Sequence, residues 1–478
     1  MPVGCPVRHF GKRSIVRLVN APSMSLSYSL TQLSNRPSKG WAHMLAKVGS
    51  AQAGSALRDR RASPTPRPAP RRQCASGMDQ VLAGQRFVAL FGDLDTPALP
   101  VLSEAVAAIA AVGPHTRLAL TPRTRKRLWS YDPGVLPPVI ELSDRVAAAD
   151  SAAVLQYIRS RPGHRHPLEI LVSPRHIAFD VDHGLGDGRF ALELLSALFA
   201  YSRGGSTPWV ADNDTVLALP RALLGTFAAH PTRARQAWRY LPTLRSRHTD
   251  ATAADSLPWS PSLASTVVHV TADAESAVND WRRENADKSG SAAVWLSIVS
   301  EALRAAQLRL EDTVMVAFDC RRYLPQRYTA NNNFIIGLEI PWAGGDGLSV
   351  TSTRLRKVTA AAVPLAAMAA VSTVGLMRAR REPITQSVVR PGAPVQVMYT
   401  DMGHIRMLDG MPWRTGGEPP SLTGLLDSAG PSAITILNSR IGATRNISIS
   451  FHDNVVDRSI INTVADYLRD PLRLLTSV

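Results

Sequence analysis

Apolar and polar positions fall into two long patterned stretches, preceded by a start with no period. Residues 86–92 read as a strand, apolar without a break from Phe87 onward, and residues 97–112 repeat Ala and Leu at helical spacing. A second helical pattern covers residues 143–160. Residues 168–172 and 177–181, each mostly apolar with a single acid, lie on either side of Ser173-Pro174-Arg175-His176, which predicts a hairpin. A glycine-rich turn follows and leads into a helical pattern over 190–200. Residues 201–261 turn to Gly, Pro, Asp, Thr and Arg with a short helical piece near 219–240, and predict an interdomain passage with its boundary at 257–262. The second half restarts in the same order: a strand at 266–271, helices at 274–285 and 292–307, and a strand at 312–318. Further strands are expected at 395–398 and, by strict alternation, 446–451, with a helix at 457–468.

This order predicts an α/β fold in which helices pack on mixed sheets. A length of 478 residues suits two domains of about 200 residues each with an extension. The expected division is 1–77, 78–256 and 257–478. Residues 358–377 carry no charge and are long enough to span a bilayer. They are mostly Ala, Ser, Thr, Val and Gly, with Pro364 inside, so a buried helix of the second domain is favoured over a membrane span. Peripheral membrane contact stays open if the substrates are lipids.

Charge changes the picture only at the start. The net charge is +16, but residues 1–77 hold 13 Lys/Arg and one acid, Asp59, so the rest is nearly balanced. A sequence this basic and rich in Ser and Pro buries too little apolar surface to offset its chain entropy, and disorder is expected over 1–77. Three readings fit it: an inert tail, an organelle leader, or a start placed upstream of Met78. No cluster of Lys/Arg with stacking aromatics occurs after residue 78, so nucleic acid is not an expected partner. Cys5, Cys74 and Cys320 form neither a disulfide framework nor a metal-ligand spacing. No metal is expected, and with no evident secretory signal the expected location is cytoplasmic.

The candidate chemistry lies at Asp182-His183-Gly184-Leu185-Gly186-Asp187-Gly188, between the second hairpin strand and the following helix. Side chains alternate along a strand, so Ile177, Phe179, Val181 and His183 share one apolar face. An imidazole at the end of a dry stripe can stay neutral at pH 7 and accept a proton. Asp182 points the other way and needs its own partner or solvent. Asp187 stands near the start of the next helix, where a carboxylate is favoured by exposed N–H groups. Its expected role is structural, either as a cap or as the partner of a cation.

Those residues resemble the His-x-x-x-Asp-Gly motif of the chloramphenicol acetyltransferase-like superfamily, which includes condensation domains, wax ester synthases and polyketide-associated acyltransferases. Asp319-Cys320-Arg321-Arg322-Tyr323-Leu324-Pro325, followed by Asn331-Asn332-Asn333-Phe334-Ile335-Ile336-Gly337, is similar to the arginine-then-Asn/Gly segment of condensation-type enzymes. Tyr399-Thr400-Asp401-Met402-Gly403 is similar to their Ser-Asn-x-Gly segment. The resemblance implies two chloramphenicol acetyltransferase-like domains, each a mixed sheet flanked by helices, with a tunnel between them. An acyl-CoA, or the phosphopantetheine thioester of an acyl carrier protein, would enter from one side. A small-molecule or lipid acceptor with a hydroxyl or amine would enter from the other. His183 would act as general base without an acyl-enzyme, a cofactor or a metal. Asp187, followed by Gly188, would pair with Arg321 or Arg322. Thr400 or a nearby backbone N–H would face the oxyanion, with Asn332 and Asp401 as further supporting candidates.

Two departures accompany the resemblance. Asp182 stands where most condensation domains have the first of two histidines, and Asp401 stands in place of Asn. They leave a second reading open, a binding or scaffold protein that retains the fold without turnover. A nucleic-acid binder working through the basic extension is the least favoured reading, because the charge is confined to that segment.

Overall fold

A computed structural model describes residues 70–124, 126–211, 217–240, 256–342, 347–378 and 388–476. Residues 1–69, most of the expected disordered extension, lie outside the described residues, as do 212–216 and 241–255 of the expected interdomain passage. The last residues of the extension are structured, contrary to expectation. Arg71–Cys74 pair antiparallel with Leu128–Tyr131, which satisfies backbone groups that the composition alone leaves exposed. Ser76 then caps a short helix, α1 (Gly77–Leu82).

The strands that place the site are β1 (Arg86–Gly92), β2 (Val139–Glu141), β3 (Leu168–Val172), β4 (His176–Asp182), β5 (Leu263–Val270), β6 (Leu310–Asp319), β7 (Ile335–Pro341), β8 (Val395–His404), β9 (Ser421–Leu426), β10 (Ala433–Ile441) and β11 (Thr444–His452). The helices used below, after α1, are α2 (Leu99–Val112), α3 (Ser151–Ser160), α4 (Gly188–Ser202), α5 (Pro231–Tyr240), α6 (Ala272–Asn285), α7 (Ser291–Ala305), α8 (Leu348–Ala360), α9 (Val363–Arg378) and α10 (Arg458–Arg469). One sheet runs β9-β1-β4-β3-β2 and the other β7-β6-β8-β10-β11-β5. Both are mixed: β2 and β3 are parallel in the first, β6, β8 and β10 in the second, and the remaining pairs are antiparallel.

β1 lies between β9 and β4 and is buried along nearly its whole length. A strand covered on both faces carries a continuous apolar run instead of an alternating one, and residues 87–92 have that run. β11 does alternate: Ile447, Ile449 and Phe451 enter the core of the second half. Its polar face is not wet, however. Ser448 and Ser450 accept the N–H groups of Gly424 (2.9 Å) and Leu426 (3.1 Å) on β9. β9 comes from the second half of the chain and forms the edge of the first sheet, antiparallel to β1. The two sheets are thereby fastened through a row of serine hydroxyls.

Two expected helices are divided. Residues 143–160 form Asp144–Ala147 and then α3, because Asp150 caps a fresh start by accepting from Ala153 N (2.8 Å). The uncharged stretch 358–377 holds the end of α8 and nearly all of α9, separated at Ala362, whose φ is 53°. Most of α9 is buried. Among the described residues no single helix is long and apolar enough to cross a membrane, and α8 with α9, bent by 62°, pass only by length and composition. α9 lies tight against α1: a Cβ at Gly77 would sit 2.2 Å from the Ser372 carbonyl oxygen, and one at Gly375 2.5 Å from that of Gly77.

Candidate active site

The hydrogen-bond pattern of β4 runs one residue past the strand, with His183 N–H donating to Gln85 O (2.7 Å). Leu185 N–H then closes the turn on Asp182 O (2.8 Å). The Asp182 carboxylate accepts from Gly184 N (2.8 Å) and Gly84 N (3.2 Å to each oxygen). Burial raises this carboxyl above the usual carboxylate range, and the two N–H bonds oppose the rise. Asp182 therefore fastens the turn that presents His183. Gly186 has no room for a side chain, since a Cβ would lie 2.5 Å from that of Phe190.

Asp187 caps α4, accepting from Arg189 N (3.1 Å), and is 2% exposed. It meets Arg321 in a fork: Oδ2 accepts from Nη1 (2.9 Å) and Oδ1 from Nη2 (3.3 Å), while Phe334 N also donates to Oδ2 (3.0 Å). Burial alone would raise the Asp187 carboxyl. The Arg321 charge and the hydrogen bonds from Phe334 and Arg321 outweigh it and hold the group below the usual range. Arg321 also donates to the carbonyls of Ala330 and Asn332, both at 2.8 Å, and to Asp319 Oδ1 (3.3 Å). Arg322, the alternative partner, is exposed.

His183 is half-buried, with the Phe87 ring edge-on at 5.0 Å. Its Nδ1 lies 3.2 Å from Asn333 Oδ1. The Asn333 amide can be oriented from its other contacts. One of its terminal atoms is 2.9 Å from Asp79 Oδ1 and 2.8 Å from the His183 carbonyl oxygen, both acceptors, so that atom is the NH2 nitrogen. Oδ1 is then left to accept from His183 Nδ1–H, and the lone pair of the imidazole resides on Nε2.

Asp79, which holds Asn333, is buried and also accepts from Asn333 N (3.1 Å), Ser76 N (3.0 Å) and Arg117 Nη2 (3.0 Å). Arg117 has a left-handed backbone, φ 66°, uncommon outside glycine. It donates to the carbonyls of Gly184 (3.0 Å) and Leu185, the turn beside His183. A strained residue clamping a candidate site fits the general tendency of strain to gather where geometry matters.

Sequence reasoning missed Asp79, Arg117 and Asn333. Of the three, only Asn333 had a signal, as a member of the Asn331-Asn332-Asn333 run. Asn332, the residue singled out there, meets the site through its carbonyl, and its side-chain oxygen is buried without a hydrogen-bond partner. Thr400 is half-buried in the middle of β8. Asp401 is tied to its own strand, accepting from Gly403 N (2.7 Å) and Tyr399 OH (3.2 Å), and burial raises its carboxyl. The neighbouring Met402 closes on the start of α4, with its Cε 3.1 Å from where a Cβ at Gly188 would be. The turn bearing His183 is thus flanked by the Arg321–Phe334 segment and by the end of β8.

No known protein family and no curated protein matches this chain by sequence. Solved structures do match its fold. The condensation domain of the monacolin K polyketide synthase MokA superposes with a TM-score of 0.54 at 12% identity, over 85% of this chain and 98% of that one. The trichothecene 15-O-acetyltransferase TRI3 of Fusarium sporotrichioides has a TM-score of 0.53 at 12% identity, over 85% and 95%. TRI101 of F. sporotrichioides, complexed with coenzyme A and T-2, has a TM-score of 0.51 at 14% identity, over 83% and 98%. The chain has the two-lobed chloramphenicol acetyltransferase-like fold shared by condensation domains and these acetyltransferases.

Proposed function

We propose that the protein is an acyltransferase that moves an acyl group from a thioester to a hydroxyl or amine, with His183 as general base. The observation that supports this most directly is the orientation of the Asn333 amide, which leaves Nε2 as the proton-accepting atom. In the reaction the acceptor O–H or N–H gives its proton to Nε2 as the acceptor heteroatom attacks the thioester carbonyl carbon. The C–O or C–N bond forms, the C–S bond breaks, and the leaving thiolate takes the proton back from Nε2. No bond to the protein is made. Asn333 holds the imidazolium through Nδ1–H while it carries the extra charge.

Asp187 and Arg321 act by position. Their fork joins the start of α4 to the second half and fixes the direction from which His183 is offered. Thr400, or an N–H at the end of β8, is the proposed oxyanion donor, because Met402 brings that segment against Gly188. The donor is coenzyme A or a carrier protein; the phosphopantetheine arm is common to both. A non-catalytic reading rested on Asp182 and Asp401. Asp182 accepts the N–H groups of Gly184 and Gly84, and Asp401 accepts that of Gly403, so neither substitution need disable the imidazole.

The test is thiol release by the full chain from short- and long-chain acyl-CoA, with hydroxyl and amine acceptors added and products identified by mass. His183→Ala should slow release by about a hundred- to ten-thousand-fold in a folded protein. Undiminished release in that variant would remove His183 from the mechanism. Binding of acyl-CoA or an acylated carrier without any turnover in the wild type would instead favour the scaffold.

A further inference from the structure

α5 leaves almost all of itself outside. Of its ten residues only Ala237 is buried, and Trp238 is 76% exposed. A helix this short is ordinarily held by an apolar face turned inward, yet here the largest apolar side chain points away from the protein. The preceding π-helical turn, Leu224–Ala228, packs on α5 and leaves Leu224 66% exposed. α5 also packs on α9, where Val374 is exposed. The exposed apolar groups thus come from elements that pack on one another.

The charge on this segment has one sign. From Leu217 to Tyr240 there are four arginines, Arg221, Arg233, Arg235 and Arg239, and no Asp or Glu. Arg221 stacks on Tyr328 with 4.2 Å to the ring centroid. Arg235 and Arg239 are exposed on α5, on either side of Trp238 in sequence. Tryptophan with arginine is the composition that settles at a bilayer interface: the indole sits at headgroup depth, and the guanidinium groups remain in water against lipid phosphate.

We infer that this face docks the protein on an anionic lipid surface, with Trp238 and Leu224 entering the headgroup layer and Arg235 and Arg239 meeting the phosphates. Exposed apolar side chains favour a deformable lipid surface over a protein, which would need to supply a matching pocket. The contact is peripheral, and the mostly buried α9 behind it does not take part in spanning. The inference stands apart from the acyl-transfer reading, because none of these residues belongs to the site around His183.

The test uses the full chain with vesicles of phosphatidylcholine, alone or with added phosphatidylglycerol, read by co-sedimentation and by quenching of tryptophan fluorescence with brominated lipid. Binding should require the anionic lipid and weaken with salt. Arg235→Gln with Arg239→Gln should lower partitioning by about 25-fold, at about fivefold per charge near the surface. Trp238→Ala should lower it by about tenfold and remove a component of the quenching. A circular-dichroism melt checks that each variant is folded. The basic residues 1–77 remain in every variant, so binding through them alone would give equal partitioning for all, and that result overturns the inference. So does a face that ignores vesicles and instead cross-links from position 238 to an acidic carrier protein.

Discussion

Replacing Asn333 with Ala tests the orientation of the candidate base. The variant removes the acceptor for His183 Nδ1–H and the donor to the His183 carbonyl, and leaves Asp79 one donor short. At 3.2 Å the Nδ1 contact is at the long end of the useful range. It is worth about 0.5–1 kcal/mol to a neutral imidazole and about 1.5–3 kcal/mol to an imidazolium. The difference, about 1–2 kcal/mol, is felt only as His183 takes the proton, and it corresponds to a loss of about 5- to 30-fold in kcat with little change in KM. The neutral-state bond corresponds to a preference of about two- to fivefold for the Nδ1–H tautomer. Histidine labelled with 15N reports that preference directly through long-range proton–nitrogen correlations, and His183→Ala assigns the signal among the 12 histidines. Urea unfolding measures the separate cost to Asp79, about 1–3 kcal/mol. A wild-type His183 protonated on Nε2, or an Asn333→Ala variant with unchanged tautomer and rate, would refute the reasoning.

Asp187→Asn leaves the Arg321 guanidinium without its main counter-charge, although two carbonyls and Asp319 remain within reach. A loss of about 2–4 kcal/mol in urea unfolding is expected. Since the folded-state carboxyl is held below its ordinary value, its contribution is complete above about pH 4, the unfolded value, and is lost as pH falls through the folded value. The gap between wild type and variant should therefore close on acidification, and a gap independent of pH would count against the ion pair as its source. Asp182→Asn keeps an oxygen that can accept from Gly84 and Gly184. Because burial raises the Asp182 carboxyl, ionising it costs stability as pH rises through the ordinary carboxylate range. The variant should match or slightly exceed wild-type stability at neutral pH with thiol release within about threefold; loss of release would make Asp182 more than a fastener.

The parts of the fold that repeat over a few residues were legible. The apolar run of β1, the hairpin of β3 and β4, and the alternation of β11 each carry their period within the segment, and the structure has all of them. What pairs with what was not legible. Ser421–Leu426 carries no mark that it belongs beside β1, more than 300 residues earlier in the chain. Nor does the spacing of Ser448 and Ser450 tell a hydroxyl facing water from one accepting a buried N–H. The break at Ala362 was hidden because an alanine-rich stretch has no glycine or proline at the residue that adopts the left-handed backbone.

The same limit separates what was visible at the site from what was not. His183 and Asp187 stand four residues apart in one motif, and Arg321 stands in a second recognisable segment, so each was visible from its neighbours in sequence although the Asp187–Arg321 pairing forms only on folding. Asp79 and Arg117 come from separate segments and meet His183 only in three dimensions. The carboxylates around the histidine then have a common physical logic. Asp182 holds the turn from its own strand, Asp187 holds it through Arg321 in the second half, and Asp79 holds it through Asn333 and Arg117. Each oxygen named in these contacts is occupied by N–H donors. A carboxylate at 182 accepts from Gly84 and Gly184 at once, whereas an imidazole there would offer a single acceptor nitrogen. The aspartate is therefore better suited to closing this turn than the histidine that the resemblance leads one to expect. In the resulting arrangement the lone pair that these anchors leave uncommitted is the one on His183 Nε2.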